Sequence, residues 1–165
     1  MKIPPILIPA ATLFLTFATV HAADHPPIKE GLWAIHTVTT SEPGHKVIDA
    51  KSTLCRNHAY DAAVEARVAA SKTCPAPAPV AHGNQLTYDS SCKVGASVMH
   101  TVATVTILSP NTSHTETHTT YTPPAFGTAQ STMIQDQTWQ GACPAGQQPG
   151  DMTMADGSVR HLGHP

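Results

Sequence analysis

The residues of this chain best suited to chemistry fall into three groups. His114, Glu116 and His118 alternate with threonines in "TSHTETHTT", and an extended strand sets such residues on one face about 7 Å apart. Imidazole and carboxylate both suit zinc or copper. Neighbouring members can share an ion, but the outer two cannot meet on one without a residue from an adjacent strand, such as His100 or Tyr121. A solvated polar face is the commoner use of these residue types. The second group, Met152, Met154, His161 and His164, lies near the C-terminus. Thioether and imidazole together suit the cuprous ion, although a polar tail carries the same residues incidentally. The third group is the four cysteines, Cys55, Cys74, Cys92 and Cys143.

No catalytic arrangement survives inspection of the spacing. Gly95-Ala96-Ser97-Val98-Met99 begins like a nucleophile elbow but lacks the closing glycine and sits in a strand pattern. Cys55 and His58 stand three apart, yet a nucleophilic cysteine must be a free thiolate, and this one belongs to a set expected to be bridged. The acidic residues are scattered singly, so no facing carboxylate pair can be placed. Asn111-Thr112-Ser113 fits a glycosylation acceptor. The expectation is a non-catalytic protein without a resident cofactor, copper or zinc being the alternative.

Composition narrows the partners. Net charge is -2 at pH 7 and Lys/Arg runs are absent from the sequence, which leaves no overall field to draw in nucleic acid or an acidic membrane. The first 22 residues read as a secretory signal: Lys2 in a short basic start, an apolar stretch over 6–19, and Val20-His21-Ala22 as the cleavage site. That apolar stretch falls short of a bilayer span and contains Pro9. An even number of cysteines downstream suits two disulfides in an oxidising compartment. The reading is a periplasmic or secreted monomer with no membrane span once the signal is removed.

The elements that must position these groups are mostly strands. Residues 23–143 are expected to form one β-rich domain and 144–165 a flexible tail. "GLWAIHTVTT" alternates after Gly31, Ser41-Glu42-Pro43-Gly44 supplies turn chemistry, and a second strand runs from Lys46 to Leu54, making a hairpin. From Asn57 to Ser71 the period changes: Tyr60, Val64 and Val68 recur every four residues, with Asn57 placed to cap. A Pro-Ala connector over 75–79 ends that helix. From Asn84 to Cys143 the chain reads as four Thr- and Val-rich strands. The fold class is mainly β (α+β): an antiparallel, strongly curved meander of about six strands, with one short helix between the second and third strands and two disulfides. Charged residues are 12% and aromatics 5%, so the core is thin and the disulfides matter.

Two finer expectations follow. Of the three possible cysteine pairings, the local one is favoured, Cys55 with Cys74 around the helix and Cys92 with Cys143 within the sheet. In the hairpin turning at Pro110, pairing residues of equal parity places His114 beside Thr106 and Glu116 beside Thr104, polar with polar. Opposite parity sets them against Ile107 and Val105. The first choice turns His114, Glu116 and His118 outward and requires an odd loop, such as Ser109-Pro110-Asn111 with Asn111 left-handed.

The order "GLW" entering the first strand, a Cys, a short helix, a second Cys, "GNQLTYDSSC", a Thr-rich hairpin and "WQGAC" resembles the bacterial exported family known as domain of unknown function 3617. The resemblance covers roughly Pro27 to Cys143 and implies an exported, cysteine-bridged β-rich domain with no assigned activity. The expected function is a small-ligand or protein-binding module in the cell envelope, the ligand or envelope partner being unspecified. The alternative is a copper- or zinc-binding periplasmic protein that uses its His, Glu and Met residues.

Overall fold

The computed structural model describes residues 28–74 and 78–162. The expected signal over 1–22, residues 75–77 of the Pro-Ala connector and His164 lie outside the described residues. Strands run over Gly31–Glu42 (β1), Lys46–Arg56 (β2), Val80–His82 (β3), Gln85–Val94 (β4), Ser97–Ser109 (β5), Thr112–Ala125 (β6), Thr128–Gly141 (β7), Asp151–Met154 (β8) and Val159–His161 (β9). One helix, α1, spans His58–Ala69 between β2 and β3. All nine strands belong to one antiparallel sheet in the order β3-β4-β5-β6-β7-β1-β2-β8-β9.

The expected six strands are therefore nine, and the sheet is an open one rather than strongly curved. Its three additional strands are only three or four residues long, too short to carry an alternating pattern. The Trp33 strand lies inside the sheet, between β7 and β2. The tail expected to be flexible instead contributes β8, paired to β2, and β9, paired to β8. Gly150 N–H donates to the carbonyl of Cys55, and Leu162 N–H to that of Gly150, so backbone bonding holds both ends of this hairpin.

Trp33 explains the entry of β1. Its side chain is fully buried, and its indole N–H donates to the Lys29 carbonyl at 2.8 Å. The second tryptophan, Trp139 on β7, donates to the Glu30 carbonyl at 3.0 Å and carries the Lys29 ammonium over its ring. Between them Gly31 approaches β7 so closely that a Cβ there would stand 2.1 Å from the Gly141 carbonyl oxygen, and its φ of +132° suits glycine. "GLW" and "WQG" thus form one interlocking contact across two strands.

Helix α1 begins where β2 ends. Asn57 accepts from the Tyr60 amide at 2.8 Å, the expected cap. Tyr60 is buried with Ile35 and Leu54, and Val64 and Met152 pack against that cluster. The Arg56 guanidinium sits over the Trp33 ring, pairs with Asp61 of the helix and donates to Gln137 of β7 at 3.1 Å. These contacts seat the first half of the helix. From Glu65 onward every helical residue is exposed, and Val68 keeps 48% of its surface. Leu86 and Ile107 are buried on β4 and β5, in a region apart from this cluster.

The disulfides pair Cys55 with Cys143 and Cys74 with Cys92, which overturns the local arrangement. A helix of 12 residues is about 18 Å long, whereas a disulfide needs α-carbons within about 7 Å. Bracketing a helix is therefore what keeps Cys55 and Cys74 apart. Cys92 on β4 and Cys143 beyond β7 are three strand positions apart, about 14 Å. In the observed pairing one bridge ties the start of the helix to the exit of β7, and the other ties its end to β4. Since β2 and β4 are five positions apart, or about 24 Å, the helix spans the strands.

Candidate functional site

The register sets the polar face. His114 lies opposite Thr106 and Glu116 opposite Thr104, so the equal-parity pairing holds. The extra residue that this parity demands is not in the turn. Pro110 and Asn111 form a two-residue connection, Asn111 is not left-handed, and Leu108 is the bulged residue between Ile107 and Ser109. A bulge shifts parity as effectively as a longer loop does, and leaves Leu108 exposed.

On β6, Ser113 and Thr115 are buried while Glu116 and His118 are exposed and His114 is half-exposed. Nδ1 of His114 bonds Asp136 of β7 at 2.7 Å, and Nε2 of His118 bonds Glu116 at 2.8 Å. Nδ1 of the same His118 ring lies 3.2 Å from the Thr132 hydroxyl, within hydrogen-bonding distance. The face continues outward in both directions. His36 stands directly opposite Asp136 and bonds Asp49 at 2.9 Å, His100 bonds Asp89 at 2.8 Å, and His161 bonds Asp151 at 2.5 Å. Five histidine–carboxylate pairs therefore share one side of the sheet. Each is solvent-exposed on at least one partner, where such pairs are worth about 0–1 kcal/mol.

As to a metal, no three His, Cys, Asp or Glu side chains among the described residues are grouped to hold one ion. His114 turns to Asp136 rather than to Glu116, which separates the trio. The four tail residues are also divided. Met152 packs beneath the helix with Ile35 and Leu54. Its strand neighbour Asp151, paired to His161, points to the other face, so Met152 and His161 stand on opposite sides. Met154 is on β8, opposite Ser52 of β2. The row His36–Asp136–His114, across three adjacent strands, was missed in the sequence because its members are far apart in the chain and the pairing of β1 with β7 is not local.

Both faces carry a hollow: on the histidine face His36, Lys51, Thr53, Asp136 and Thr138 border one of about 380 Å³, and the other face carries a more apolar one under the helix. Where the second half of α1 stands away from the sheet, Ala62, Val64, Val68, Ala78, Pro79 and Tyr88 of β4 border a hollow of about 470 Å³. It adjoins, along Val64 and Glu65, a smaller one of about 280 Å³ over Ile35, Leu54 and Met152. Its walls are mainly methyl groups. Burial pushes the pKa of the Tyr88 hydroxyl above the ordinary tyrosine value, and the Glu65 carboxylate raises it further. Tyr88 thus stays a neutral hydroxyl, able to donate one hydrogen bond and accept another. The Cys74–Cys92 bridge anchors the helix exit to β4.

For covalent chemistry, Cys55 is bridged to Cys143 and all the cysteines are paired, so none is available as a thiolate nucleophile. Ser97 is buried at the start of β5.

An antiparallel sheet tied by two disulfides, with one helix strapped across it between them, is the class of protein these features define. The chain belongs to the family described as protein of unknown function DUF3617, whose model matches residues 28–143. That span ends at Cys143, so the β8–β9 hairpin lies beyond it. No curated protein matches the chain.

Proposed function

We propose that this protein is an exported, non-catalytic binding domain that holds a small, largely apolar ligand in the groove between α1 and β4. The supporting observation is a helix whose first half is packed and whose second half stands off the sheet, with Val68 half-exposed and a disulfide holding the gap. Its volume and apolar walls with one hydroxyl suit small-molecule recognition. Pairing with another protein through a sheet edge is less well supported, because the edges, β3 and β9, are three residues each, and short edge strands are poor templates. Export is supported by the two disulfides; no helix among the described residues is long and apolar enough to cross a membrane.

Native mass spectrometry of protein recovered from its own envelope fraction tests this, with displacement of a fluorescent alkyl-chain probe from the purified domain as a second readout. The expected results are a retained apolar adduct and saturable probe binding that Ala66→Trp, which fills the groove from the helix side, abolishes. A bare mass together with no probe binding would overturn the reading.

A further inference from the structure

The register places three turns at one end of the sheet: 43–45 between β1 and β2, 95–96 between β4 and β5, and Phe126-Gly127 between β6 and β7. The last is unlike the others. Ala125 pairs with Thr128, so Phe126 and Gly127 are the two central residues, and both have positive φ, 53° and 75°. Such a turn favours Asn-Gly or Gly-Gly, and an aromatic residue there is a conformational outlier. The same side chain is 89% exposed. Phenylalanine is thus disfavoured at this position twice over, by backbone and by solvation, and neither cost is offset by any contact within the described chain.

The surroundings point to what the ring meets. Residues 121–129, "YTPPAFGTA", contain no charge. The β1 ladder ends with Glu42 opposite Gln130, so 126–127 project past β1 by about three residues, or 10 Å. Val98, Val47 and Ile48 are exposed at the same end. On either side of the projection stand exposed lysines, Lys93 at the end of β4 and Lys46 at the start of β2. Lys72 lies beside Lys93. The nearby acid, Glu42, is engaged by His45. An uncharged, ring-tipped projection between cationic shoulders is complementary to an interface with apolar chains below and negative groups above. The whole-chain charge conceals this because, apart from Glu42, the acidic side chains of the described residues lie away from these turns, along the strands, on α1, before β1 and in the β8–β9 turn.

We infer that this end of the sheet docks on an anionic lipid surface, with the Phe126 ring inserted and Lys46 and Lys93 against the headgroups. The test is flotation of the full chain with vesicles of phosphatidylglycerol and phosphatidylethanolamine, compared with phosphatidylcholine alone. The wild type should float with the anionic vesicles and fall off as salt rises. Phe126→Asn places the preferred residue in the turn, so its unfolding midpoint should hold or rise while partitioning drops about tenfold or more, the equivalent of withdrawing one buried ring. Lys46→Glu with Lys93→Glu should abolish the preference for anionic lipid. Phe126→Trp should show a blue shift in emission on adding vesicles. A wild type that stays at the bottom of the gradient, Phe126→Asn floating as well as the wild type, or a Phe126→Trp variant whose emission lipid leaves unchanged would each overturn the inference. A saturating protein partner in place of lipid would do the same.

Discussion

Removing the two disulfides separately should produce unequal losses, and the order is set by the observed pairing. Cys55 and Cys143 are 88 residues apart, Cys74 and Cys92 only 18. In the chain-entropy account the first crosslink restricts the unfolded chain by about 4.5 kcal/mol and the second by about 3. Cys55 is also fully buried at the base of the helix, so Cys55→Ala with Cys143→Ala opens a void as well as a loop. Against a total stability of about 5–15 kcal/mol for a domain, that variant should lose a large fraction of it, with a fall in Tm of roughly 10–15 °C. Cys74→Ala with Cys92→Ala should lose less. Urea unfolding followed by the emission of buried Trp33 reads both, and a non-reducing peptide map should recover the segment containing Cys55 joined to that containing Cys143. A Cys74–Cys92 deletion that costs as much as the other, or a map joining Cys55 to Cys74, would refute the reasoning. A second readout separates the roles of the bridges: loss of Cys74–Cys92 frees the helix exit, so probe binding in the groove should weaken even where the sheet remains folded.

Three further outcomes follow from local geometry. Asn57→Ala removes the acceptor for the Tyr60 amide and should cost about 1 kcal/mol, measured by denaturant unfolding and accompanied by a small loss of helical circular dichroism. Leu54→Ala, in the cluster with Ile35 and Tyr60, should cost about 2–5 kcal/mol, whereas Val68→Ala on the open half of the helix should cost well under 1 kcal/mol; equal effects would mean the helix is packed along its length. Tyr88 should titrate above the ordinary tyrosine range by ultraviolet difference absorbance. Because its folded pKa is the raised one, its contribution is present below the unfolded value and is lost as pH climbs through the folded value. Glu65→Gln should lower the midpoint only partly, since burial is the larger cause.

The long elements were legible because each had its own period. Alternation from Gly31 and the turn chemistry at Pro43-Gly44 give the β1–β2 hairpin, and the four-residue recurrence of Tyr60 and Val64 after Asn57 gives α1 with its cap. The outward face of β6 followed from matching polar residues across a hairpin, and the observed register agrees. The compensating bulge at Leu108 was not legible, since a bulge and an odd loop have the same effect on parity. The tail was misread because β8 and β9 supply four and three residues and take their backbone bonds from β2 and from each other rather than from any pattern of their own.

What the chain determines by itself is its local grammar: which segments are extended, where the helix starts, which residues turn, and which side of a hairpin faces water. These depend on neighbours within a few residues. The tertiary structure decides the rest, because it depends on which distant strands lie side by side. It sets Trp33 in the interior of the sheet by placing β1 between β7 and β2. It brings His36 beside Asp136 and His114. It pairs Cys55 with Cys143, since an intervening helix holds Cys55 away from Cys74, the cysteine next to it in sequence. And it gathers Phe126, Lys46 and Lys93 at one end of the sheet, a juxtaposition that no stretch of the sequence contains.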